Sequence, residues 1–168
     1  MKYNFQFLNE DLELKKFRKP IADLIKLQEN HLDDLFAIQA RKIAENIIKL
    51  IVQKEKLSIS KQKPVFIDYI NLLNNFYIKQ RYIPKNNQGQ NIVNIFRSIK
   101  NIGNTAAHDI KERKINSHKI MSDIYFLLKF VFFSYFKKQK RKNIINLSTI
   151  AILFLVVLFL LTINFLFK

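Results

Sequence analysis

The chain has 168 residues, among them two glycines, three prolines and no cysteine. That length holds one domain with an appendage, and zero cysteine excludes disulfides, thiolate chemistry and Cys-rich zinc sites. Lys and Arg outnumber Asp and Glu by 29 to 13, for a formal net charge of +16, a surplus that attracts nucleic acid or anionic lipid headgroups.

An AT-rich coding sequence would raise Lys, Asn and Ile without selection for binding, so only clustered charge counts as a signal. Scarce Gly and Pro leave few tight turns, which favours an all-α fold over a many-stranded one. The start, "MKYNFQFLNEDLEL", lacks the apolar core of a signal peptide and carries acids early. A first helix is expected from Asp11 to Leu27, interrupted or kinked at Pro20. "DDLFAIQARKIAENIIKLIVQKE" is the second, with Leu35, Ile38, Ile43, Ile47, Leu50 and Ile51 on its apolar face and Arg41 four residues before Glu45. The third runs from Pro64 to about Ile78, and "RYIPKNNQGQ" reads as a loop.

The fourth helix covers Asn91 to about His108, and a fifth Asn116 to Phe136. Ile120, Ile124, Leu127, Leu128, Val131 and Tyr135 form the stripe of the fifth, with Phe126, Phe130 and Phe133 away from it. Its apolar run is too short to cross a membrane alone, and it contains Lys129. A buried bundle helix, or one that also supports a dimer, fits it better than a span.

After the fifth helix comes "KKQKRK", in which Lys137, Lys138, Lys140, Arg141 and Lys142 are basic. From Ile144 to Phe167 there is no charge, and a helix of that length would reach about 36 Å against a hydrocarbon core of about 30 Å. The sequence therefore predicts three parts: a helical bundle over 1–136, a basic juxtamembrane segment over 137–143 and one transmembrane helix over 144–167. The positive-inside rule then places the bundle on the cytoplasmic side, with the five basic residues against lipid headgroups.

The fourth helix holds "FRSIKNIGNTAAHDI", with one of the two glycines and one of the three histidines. At 100° per residue, Ile92, Ile95, Ile99, Ile102, Ala106 and Ile110 share one side with Gly103. Arg97, Lys100, Asn101, Asn104 and His108 lie opposite as a polar stripe. A helix-interior glycine costs about 1 kcal/mol relative to Ala, so Gly103 on the apolar side predicts a close helix crossing. The stripe combines cations, amides and an imidazole, the groups needed to hold a phosphate and move a proton. A solvated face ending in a histidine that suits the helix dipole is the plainer reading. No metal site is expected, since His31, His108 and His118 lack ligand spacing, and no cofactor is implied.

"IKNIGNTAAHD", together with "QARKIAENIIKLI" upstream, resembles the HEPN superfamily of all-helical bundles. The branch it is most similar to occurs alone or fused to restriction-endonuclease subunits, and the resemblance covers about Leu8 to Phe136. Many members are metal-independent ribonucleases, commonly with Arg-Asn-x-x-x-His, whose sites are usually completed across a dimer. Residue by residue, Asn104 and His108 match the Asn and His, while Gly103 stands where the Arg would be. Arg97 and Lys100 are the nearest cations on the same face. The resemblance thus implies a homodimeric binding or regulatory module, leaning away from catalysis, within a bacterial system such as phage defence. Its ligand would be RNA, a nucleotide or an unknown protein partner, and the expected anchor would tether it to the membrane. One alternative is a membrane-tethered ribonuclease using His108 with Asn104. The other is a membrane-perturbing effector with the bundle as its sensor.

Overall fold

The computed structural model describes residues 3–108 and 115–137. A 3-10 turn, Gln6–Asn9, leads into α1 (Leu12–Lys15), α2 (Arg18–Glu29), α3 (Asp33–Lys54), α4 (Phe66–Lys79), α5 (Ile92–His108) and α6 (Ser117–Val131), followed by a π-helical turn, Phe132–Lys137. No strand occurs among the described residues, beyond one isolated bridge between Lys85 and Asn91. The helical expectation for the bundle therefore stands.

The rest of the fold-class expectation is corrected. Among the described residues no helix is long and apolar enough to cross a membrane. The 22-residue α3 has the length, but it carries Asp33, Asp34, Arg41, Lys42, Glu45, Lys49 and Lys54. The fifth predicted helix is only 15 residues long as α6. Residues 144–167, on which the transmembrane helix was expected, lie outside the described residues, as do 138–143. The single-pass membrane localisation is accordingly withdrawn, and of Lys137, Lys138, Lys140, Arg141 and Lys142, expected against lipid headgroups, Lys137 alone lies among the described residues.

α3 is the hub. It packs most extensively on α5, then on α6 and α2, while α4 leans on α5 and α3. Its buried residues, among them Phe36, Ile43, Ile47 and Ile51, cover a little more than half of its circumference, as a helix with neighbours on several sides requires. Leu35 departs from its expected apolar face and is 54% exposed. Phe66 on α4 meets Phe96 on α5 edge-on, with centroids 6.3 Å apart. Each such fully buried side chain contributes roughly 1.5–3 kcal/mol.

The first compact unit ends at Phe132, four residues before the expected boundary at 136. The second begins at Phe133 and is described only to Lys137, whose Nζ lies 4.9 Å from the Phe133 ring centroid. The α-helical part of the fifth element stops at Val131 rather than running to Phe136.

Helix ends follow local chemistry. The break in the first predicted helix falls at Lys16 and Phe17, not at Pro20. Pro20 sits in the first turn of α2, where its absent N–H would have had no intrahelical acceptor. At the start of α4 the Val65 N–H donates to Asp68 Oδ2 at 2.8 Å, and Lys61 Nζ lies 2.9 Å from the same oxygen. The Val65 N–H first, then Lys61, holds the Asp68 carboxyl below its ordinary value of 3.8. Asn91 Oδ1 accepts from the Asn94 N–H, and Asn116 Oδ1 from the Lys119 N–H, capping α5 and α6.

With so few glycines, three helices end on non-glycine residues in the left-handed region: His31 (φ 55°), Lys56 (φ 53°) and Arg81 (φ 52°). Each is followed by a Schellman-type bond, such as Leu57 N–H to Val52 O at 3.0 Å. Lys56 is exposed, so Lys56→Gly relieves a left-handed penalty at the cost of extra unfolded-state entropy. The expected net gain is about 0.5–1 kcal/mol, read as a higher urea midpoint at unchanged slope.

Candidate functional site

α5 crosses α3 at Gly103. A Cβ at that position would lie 2.5 Å from Arg41 Cβ, 2.9 Å from the Ala37 carbonyl oxygen and 3.0 Å from Arg41 Cδ. The Arg41 side chain thus lies across the space that a side chain at 103 would fill. An arginine there, as the Arg-Asn-x-x-x-His pattern would have it, is sterically incompatible with this crossing. Small residues on both sides make the approach possible: Ala37, Ala40 and Ala44 of α3 are all essentially fully buried.

The buried side of α5 is Ile92, Val93, Ile95, Phe96, Ile99 and Gly103. Ile102 and Ala106, expected there, are only half-buried, and Ile110 lies outside the described residues. Val93 and Phe96 replace them because α5 is also covered by α4. Across the helix, Arg97, Lys100 and Asn104 are half-buried, and Asn101 and His108 are exposed. None of these five has a hydrogen-bond or ion-pair partner among the described residues. Arg97, Asn101, Asn104 and His108 form one continuous stripe about 16 Å long. Lys100 sits at its edge, nearer the α3 crossing.

The expected Arg41–Glu45 pairing is not what forms. Glu45 Oε1 instead accepts from Lys49 Nζ at 2.8 Å. Both partners are available one turn away, and a Glu with its Lys four residues later is the favoured orientation on a helix. Arg41 keeps a half-buried side chain whose Nε is shielded from solvent and lacks a hydrogen-bond acceptor. A desolvated donor left unpaired costs about 1–3 kcal/mol. Beside Gly103, then, the Arg41 Nε–H has no acceptor among the described residues.

Sequence reasoning missed Asp123. It is 3% exposed on α6, with its carboxylate 2.7 Å from Lys119 Nζ. A buried acid in a helix stripe carries no signal of its own, although the four-residue spacing to Lys119 does. His31 closes α2, and His118 Nδ1 lies 3.5 Å from Gln28 Nε2 at the surface. Among the described residues no group of His, Asp and Glu is placed to hold a metal ion.

No family model, curated protein or solved structure matches the chain. The expected membership of the HEPN superfamily gains nothing from known proteins, and the phage-defence assignment is withdrawn for lack of any match that supports it.

Proposed function

We propose that the chain is a non-catalytic, HEPN-like helical module that binds a phosphate-bearing ligand, RNA or a nucleotide, at the α3–α5 crossing. The carrying observation is the Arg41 Nε, buried without an acceptor beside Gly103. A phosphate would meet the terminal nitrogens of that guanidinium, which are not shielded as Nε is, and it is an acceptor that guanidinium geometry favours. Arg97 and Lys100 add charge along α5, with Asn101 and Asn104 as amide donors. The sequence resemblance of "QARKIAENIIKLI" and "IKNIGNTAAHD" to the HEPN superfamily supports the same reading and carries the expectation of a homodimer. Catalysis by His108 is disfavoured because the motif's arginine position is filled by packing.

The test is fluorescence anisotropy of the full chain with labelled single-stranded RNA, in EDTA and across a salt series. Arg97→Ala is expected to weaken binding and to reduce the salt slope by about one phosphate contact. His108→Ala should leave affinity within about twofold, and the RNA should remain intact. Metal-independent cleavage that His108→Ala abolishes would overturn the reading in favour of a ribonuclease.

A further inference from the structure

We propose that a separate cleft, where the N-terminal segment, the 85–91 turn and α6 meet, binds a nucleotide. Its volume is about 560 Å³, within the usual range for small-molecule sites. Tyr3, Tyr125 and Phe126 bring aromatic surface into it, Asn87 and Gln88 bring amides, and Lys129 brings a cation. Among the described residues no carboxylate lines it.

Each group answers a part of the ligand. The Tyr3 and Tyr125 ring centroids are 5.1 Å apart. Tyr125 is braced by Phe5 edge-on at 5.2 Å and by Phe7 at 6.0 Å, so the platform is fixed before any base arrives. Aromatic platforms of this kind accept the face of any base. Amide side chains read base edges, bidentately in the case of adenine. Lys129 Nζ sits over the Tyr125 ring, 5.0 Å from its centroid, so the charge for a phosphate covers one face of Tyr125 and the half-buried Tyr3 and Phe126 rings are left to receive the base.

The turn itself is built by Asn86, whose Oδ1 accepts from the Gln88 N–H at 3.0 Å and the Gln90 N–H at 2.9 Å. Gly89 at φ +74° completes it, a left-handed position that suits glycine. Asn86 is thereby occupied in holding the loop. The neighbouring Asn87 and Gln88 side chains stay exposed at the cleft with no partner among the described residues. The ligand class is a nucleobase carrying a phosphate, either as a free mononucleotide or as the end of an RNA.

This inference does not rest on the α3–α5 reading, since the two sites share no residue. The test is calorimetric titration of the full chain with AMP, CMP, GMP and UMP and with the matching nucleosides. A six-nucleotide RNA, with and without a 5′-phosphate, is the second arm. Lys129→Met is expected to weaken the monophosphates by about tenfold and to leave nucleoside binding unchanged. Gln88→Ala, on an exposed turn, should alter the preference among bases without affecting the melt. Photo-crosslinking with 8-azido-AMP should label the α6 peptide containing Tyr125 and Phe126. Tighter binding of the phosphorylated RNA identifies a strand end as the ligand, and tighter AMP binding identifies the free nucleotide. The α6 peptide contains no residue of the α3–α5 crossing, so its labelling reads this cleft alone and failure at one site is distinguishable from failure at the other. The proposal is overturned by absent titration heat and absent crosslinking at millimolar AMP, or by equal losses for nucleosides and nucleotides in Lys129→Met.

Discussion

Gly103→Ala is expected to destabilise the protein by about 2 kcal/mol, lowering Tm by roughly 5 °C or more. Alanine in place of a helical glycine ordinarily gains about 1 kcal/mol in propensity, so a net loss here has to come from the crossing. The new methyl would meet Arg41 Cβ at 2.5 Å and the Ala37 carbonyl at 2.9 Å. Neither can yield by rotating a side chain, because both positions are set by the α3 backbone. The helices must move apart, and the buried Ile99 one turn away loses its fit as they do. Gly103→Leu adds three further carbons and should cost more, at or beyond about 3 kcal/mol. Calorimetric melts of the parent and both variants check the order. A Gly103→Ala protein that melts at or above the parent would show that α3 and α5 do not cross so closely.

The glycine was legible because it is nearly alone. In a chain with two glycines, one inside an isoleucine-rich helix has few explanations other than a close neighbour. Ile92, Ile95 and Ile99 were legible for the usual reason, since their spacing matches the helical period. The rotation of the buried face toward Val93 and Phe96 was not, because it depends on where α4 lies, and a single-helix wheel has no term for a second neighbour. Arg41 failed as a pairing prediction on similar grounds. Glu45 has a cation one turn to either side, at Arg41 and Lys49, and a reading from spacing passes over the preference for a Glu that precedes its cation. Pro20 was misread because a proline in a first turn and one in a helix interior look alike until the start is known. The nucleotide cleft was the least legible feature, since it joins Tyr3 to Tyr125 across more than one hundred intervening residues.

Arg41→Met should stabilise the free protein and weaken its binding of RNA at the α3–α5 crossing. Methionine keeps an unbranched stem to lie over Gly103, so most of the packing survives. What disappears is a donor that is buried without an acceptor, and relief of that penalty is worth about 1–3 kcal/mol. Part of this gain is offset by the lost solvation of the terminal guanidinium nitrogens, so a rise in Tm of a few degrees is expected. Opposite signs for stability and binding are the mark of a residue kept for function at a cost to the fold. A structural arginine behaves differently: its removal lowers Tm and leaves affinity to follow the folded fraction. Thermal melts and RNA anisotropy on the same preparation separate the two. A lower Tm with unchanged affinity per folded molecule would remove Arg41 from the site, leaving Arg97 and Lys100 as its cations among the described residues.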